Sequence, residues 1–152
     1  SRPSPAPVAA QSPPSAPRQP PAVKEAPKAA APPKASAADA SKEGDRARDR
    51  GDFRSAAAAY QRALDAEPGN AAAAVQLGWS LIELGQASGA SEAFRTATRL
   101  RPGSAEAHYG LGLAYQELGR RADARSEYEK VIELEPNGRD AAEVKALLRR
   151  LE

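Results

Sequence analysis

The chain has 152 residues, a net charge of +2 and no cysteine. One domain is expected, and disulfide or thiol chemistry is excluded. No apolar run approaches the roughly 18–20 residues of a membrane span, so direct membrane insertion is not expected.

Residues 1–36 come first and stand apart. They carry 11 of the 14 prolines, interleaved with Ala, Ser, Gln and Lys. Proline removes a backbone donor and holds φ, so neither helix nor ladder runs through such a stretch. The reading is a disordered Pro/Ala-rich linker with polyproline II character. A ligand for a proline-reading pocket is the alternative, with Ser12-Pro13-Pro14 and Pro20-Pro21 as its signals. The tail holds Arg2, Arg18, Lys24, Lys28 and Lys34 against Glu25, a balance of +4, which leaves 17 basic and 19 acidic residues beyond it. The basic excess therefore belongs to the tail. No clustered basic stripe marks the remainder as nucleic-acid-binding. The chain opens on Ser1 without a Met, which reads as a fragment or a processed product.

Of the hydrophobic residues, 36 are alanine, and among the larger ones only Val8 and Val23 precede residue 37. A core must be built beyond that point, mostly from small side chains. From there the chain repeats itself every 34 residues. Leu77-Gly78 recurs as Leu111-Gly112, Leu81 as Tyr115, Ala90 as Ala124, Phe94 as Tyr128 and Leu100 as Leu134. Gly51, Gly85 and Gly119 share one position, and Pro68, Pro102 and Pro136 another. Such a period marks stacked supersecondary units. The glycines suit a left-handed residue just past a helix. The prolines end a second helix, because the residue before proline is pushed out of the α region. Asn70 and Ser104 then stand where a new helix needs an N-cap. The punctuation predicts helix pairs in repeats 37–70, 71–104 and 105–138. Gly78 and Gly112 each cost about 1 kcal/mol in a helix interior, which close backbone approach between paired helices would explain. Gly110 has no counterpart in the other repeats.

The first helix of repeat one, residues 38–50, is polar, as a terminal repeat facing water requires. Residues 139–152 follow the last repeat. Val144, Leu147, Leu148 and Leu151 form one apolar stripe there, predicting a helix that seals the end of the stack.

These residues resemble the tetratricopeptide repeat, whose pattern runs Trp, Leu-Gly, Tyr, Ala, aromatic and Pro. Ala40 and Glu43 depart from it in repeat one, and His108 stands where the family prefers Trp. The resemblance implies an all-α fold, a short right-handed α-solenoid of antiparallel helix pairs. It also implies a concave groove lined by the first helix of each repeat. Carried onto this chain, the groove residues are Val75, Gln76, Trp79, Ile82, Glu83, Glu106, Tyr109, Leu113, Gln116 and Glu117. Repeat one adds Ser41, Lys42, Asp45, Arg48 and Asp49. Val75, Trp79 and Ile82 form an apolar stripe on a second side of their helix, and such a helix packs on both sides or offers one to a partner.

Family members that grip the C-terminal carboxylate of heat-shock chaperones use Lys, Asn and Arg in this groove. Here those positions hold Ser41, Asp45, Gln76, Tyr109 and Leu113, so the carboxylate clamp is absent. The expected function is a protein–protein interaction module, an adaptor binding a peptide or helix with apolar and basic side chains. The alternatives are a chaperone-like holder of apolar segments and a regulatory appendage of an upstream enzyme. Self-association is the rival cover for the Trp79 stripe.

No catalytic residues, cofactor site or metal site are expected. The single histidine, His108, reads as a packed core residue, and one His without Cys makes a poor zinc site. Acidic pairs two residues apart, such as Glu133 and Glu135, point to different helix faces. The Arg-over-Lys bias, 16 against 6, and the alanine content associate the chain with a bacterial source. They leave cytoplasm and periplasm both open.

Overall fold

A computed structural model describes residues 2–5 and 36–152. The linker reading for 1–36 otherwise lies outside the described residues. Seven helices follow: α1 (Ala37–Asp49), α2 (Phe53–Ala66), α3 (Ala71–Glu83), α4 (Ala87–Leu100), α5 (Ala105–Glu117), α6 (Arg121–Leu134) and α7 (Ala141–Arg150). Among the described residues there is no strand. α1 pairs with α2, α3 with α4 and α5 with α6, while α2–α3, α4–α5 and α6–α7 contacts stack the hairpins into a solenoid.

The local chemistry produces these boundaries. Gly51, Gly85 and Gly119 have φ of 74°, 69° and 73°, and they are the positive-φ glycines of the described chain. Each ends a first helix, where an L side chain would be strained. At the helix starts, Asn70 Oδ1 accepts from the Ala73 amide at 2.9 Å and Ser104 Oγ from the Ala107 amide at 3.2 Å. Ser36 and Asp52 cap α1 and α2 in the same way. The Ser55 side chain and amide hold the Asp52 carboxyl below its ordinary range. Gln86 and Arg120, before α4 and α6, form no side-chain cap bond. Asn70→Ala should therefore cost about 1 kcal/mol in urea denaturation, and Gln86→Ala close to nothing. Equal losses from the two would show that the caps do not set these starts.

The polar stretch at 38–50 is helical, because α1 still buries Ala40, Gly44 and Ala47 against its neighbours. α7 is shorter than the expected 139–152 stripe. It buries Val144 and Leu147, with Leu148 and Leu151 partly covered.

Alanine and glycine line the helix contacts, with aromatic rings set among them. Phe94, Tyr60 and Tyr128 are sealed in the interior. A β-carbon on Gly44 would lie 2.6 Å from the Tyr60 ring, and one on Gly78 2.7 Å from the Phe94 ring. One on Gly112 would strike Tyr128. The repeated Leu-Gly step thus holds a slot for the aromatic ring of the partner helix. Gly110, unexplained by the repeat pattern, faces the Phe94 ring from the next hairpin. Phe94 is therefore held between α3 and α5, with a glycine on each.

Candidate functional site

The three aromatic slots determine what the first helices present. Tyr60, passing over Gly44, donates its hydroxyl to Asp45 Oδ1 at 2.6 Å. Tyr128, passing over Gly112, donates to Gln116 Oε1 at 3.1 Å. The middle repeat has Phe94, which has no hydroxyl. Trp79 packs edge-on against the Phe94 ring at 5.1 Å and 76°.

Trp79 is half-buried and links α3 to α5. Its ring lies 5.9 Å from that of Tyr109 at 55°, and its Nε1 donates to Glu106 Oε1 at 3.0 Å. Tyr109 continues to Tyr128 at 6.3 Å. On the other side of α3, the Arg48 guanidinium donates to Gln76 Oε1, tying α1 to α3. Arg48 also lies 3.7 Å from Asp45 and 3.8 Å from Asp49. Residues of α1, α3 and α5 thereby join along one face.

The residues expected in the groove divide by burial. Trp79, Tyr109, Gln76, Ile82 and Leu113 are half-buried, and Glu83, Glu106, Gln116 and Glu117 are exposed. Val75 is only 7% exposed and belongs to the core under this face, with little surface left for a partner. The apolar stripe is therefore shared, with Val75 buried while Trp79 and Ile82 also reach the surface.

Two features were not legible from the repeat pattern. The Glu143 carboxylate of α7 lies near the Tyr109 phenol. Burial, and then that carboxylate, push the Tyr109 phenol well above its usual range. Burial dominates the same upward shift at Tyr60, reinforced by Asp45, and at Tyr128, reinforced by Tyr109. The only advance signal for Glu143 was its place in the first turn of the closing helix. The second feature is the row of slotted rings beneath the face, which needs the pairing of helices to be seen.

His108 takes a place between α5 and α6, with its side chain 12% exposed. Its Nδ1 lies 2.6 Å from Glu127 Oε2 and its Nε2 2.8 Å from the Pro102 carbonyl. It is a tethered structural residue beside a cleft of about 580 Å³ between α4 and α6. Arg95, Arg99, Glu92 and Glu127 give that cleft mixed charge, and Arg120 covers its Tyr115 ring at 4.3 Å. The cleft offers no uncovered aromatic surface.

Tetratricopeptide repeat family models match residues 75–139 and 111–151, and a second such model matches 47–102. Among solved structures, the chain is similar to the Sgt2 TPR domain from Aspergillus fumigatus, with 30% identity and a TM-score of 0.68 over 76% of each chain. It is similar to the first TPR of Spaghetti (RPAP3), solved bound to the HSP90 peptide SRMEEVD, with 25% identity and a TM-score of 0.69 over 76% of this chain and 91% of that one. The TPR2B domain of yeast Sti1, solved with an Hsp70 partner, shares the fold at 20% identity and a TM-score of 0.71, over 76% of this chain and 94% of the other. A search of the curated proteins found no match. The chain belongs to the tetratricopeptide repeat family.

Proposed function

We propose that the chain is an adaptor that binds a peptide or helix of a partner protein across the face built by α1, α3 and α5. The observation that carries this reading is the half-buried Trp79–Tyr109 pair, with the exposed Glu106 carboxylate bonded to the indole. Trp and Tyr are the side chains most often found as binding anchors. Around the Trp79–Tyr109 pair the face offers aromatic, amide and carboxylate groups and the engaged Arg48 guanidinium, a set that favours binding over catalysis.

The charge of the face argues against the ligand seen with the RPAP3 repeat. SRMEEVD carries four carboxylates, counting its own C-terminus. Here Asp45 is bound to Tyr60, and Tyr109 and Leu113 stand where cations would grip. The SRMEEVD peptide is expected to give no saturable signal by calorimetry. Micromolar binding would overturn the assignment of an apolar and basic partner. Trp79 is the only indole, so its fluorescence reports on this face directly. An emission spectrum unmoved by every peptide that binds the chain would place the interaction elsewhere. Trp79→Ala should weaken binding of a peptide selected on this face by about 2 kcal/mol or more.

A further inference from the structure

We infer that the Trp79–Tyr109 pair is a subsite for one arginine side chain of the partner polypeptide. The inference rests on the face reading above and narrows it to one chemistry. The two rings are inclined at 55° instead of lying flat on one another, so each keeps aromatic surface of its own. The face of an aromatic ring attracts a cation, and tryptophan does so most strongly. Trp79 donates its Nε1 hydrogen to Glu106, which leaves the indole more electron-rich.

The surrounding charge points the same way. Glu83, Glu106, Glu117 and Glu143 are exposed, and none has a cation within 4.0 Å among the described residues. Arg48, the nearby base of α1, is already engaged by Gln76, Asp45 and Asp49. The cation–π contact formed inside the described chain, Arg120 on Tyr115, uses a different ring. Arg101 lines a small pocket with Glu106, but among the described residues no cation lies on the Trp79 ring.

Guanidinium suits this setting better than ammonium. It is planar and weakly hydrated, so it can lie on a ring while donating from its edge to a carboxylate. Only one Glu106 oxygen is occupied by the indole, which leaves the other to accept. An acidic ligand would meet the Glu106 carboxylate beside the indole and Glu143 near Tyr109.

The test uses the whole 152-residue chain. Random peptides are selected by display on it and counter-selected against Trp79→Ala. The tightest winner is then made with its arginine replaced by citrulline, which keeps the shape and removes the charge. The expected result is winners that carry arginine, and a loss of about tenfold or more with citrulline. Lysine should fall between the two, and Glu106→Gln should shrink the arginine–citrulline gap. Trp79→Phe keeps an aromatic ring at the site but drops the Nε1 bond and part of the ring surface. It should bind measurably more weakly with an unchanged far-ultraviolet spectrum, and it replaces Trp79→Ala as the counter-selection if that variant fails to fold. Winners without arginine, or citrulline binding as well as arginine, overturn the subsite while leaving the face reading intact. A library yielding no Trp79-dependent peptide overturns both.

Discussion

Replacing Gly110 with alanine is expected to destabilise the fold by about 1–2 kcal/mol, against the roughly 1 kcal/mol gain that helix propensity alone would give. The two effects have opposite sign, so the measurement separates them. A β-carbon on Gly110 would sit on the Phe94 ring, and one on Gly78 would approach the same ring to 2.7 Å from the other hairpin. The ring cannot yield to one side without meeting the other. Gly78→Ala should therefore lose a similar amount, and the double variant should depart from additivity because both act through Phe94. Gly69 and Gly103 have nothing within 4 Å of such a carbon, and the same change there should be close to neutral. Phe94→Ala removes the ring itself. It is completely buried, so a loss of about 3–5 kcal/mol is expected. Phe94→Leu should relieve the crowding and reduce the cost of Gly110→Ala. Urea denaturation followed by circular dichroism at a helical band checks the series. A higher midpoint for Gly110→Ala would defeat the account of a ring held between two glycines.

Ending the chain after residue 139 should have the other large effect. α7 packs on α6 and contributes Val144 and Leu147 to the main core, where Tyr128 and Val131 meet them. Burying each of those aliphatic side chains contributes about 1.5–3 kcal/mol, and truncation also exposes the surfaces they cover. A loss of about 4 kcal/mol or more is expected, which for a domain of this size lowers Tm by roughly 15 °C or more. Such a loss approaches the total stability of many small domains, about 5–15 kcal/mol. If the truncated chain cannot be obtained folded, Leu147→Ala in the full chain should still cost about 2–5 kcal/mol. An unchanged Tm for both variants would mean that α7 is an ornament on a stack that closes without it. Truncation also removes Glu143, the carboxylate near Tyr109, so the emission of nearby Trp79 should shift even where the remaining helices stay folded.

The contrast between those two regions shows what was legible in advance. The ends of α1 to α6 fall within one residue of the repeat register, because Gly and Pro punctuation and the Asn70 and Ser104 caps act within a few residues of chain. Those are short-range effects, and the residues that cause them are adjacent in the sequence. The stripe through Val144 likewise announced a closing helix, though the helix stops at Arg150.

The candidate face was legible only in outline. The register placed Trp79, Tyr109, Glu83, Glu106 and Glu117 on the first helices, where the structure leaves them at or near the surface. It did not reveal that Val75 would be buried or that Glu143 would reach Tyr109, since both depend on contacts between helices far apart in the chain. Gly110 shows the difference most clearly. It breaks the repeat and would be a fault in an isolated helix, yet it makes room for a ring contributed by another hairpin.

The amino-acid sequence by itself determined the helices, their order and their pairing, through local backbone preferences recurring with a fixed period. Only the tertiary structure decided which rings lie beneath the first-helix face, which of its side chains stay exposed and which carboxylate meets Trp79. Those outcomes depend on side-chain volume and charge meeting across helices, and a period of 34 residues does not encode what stands opposite each position.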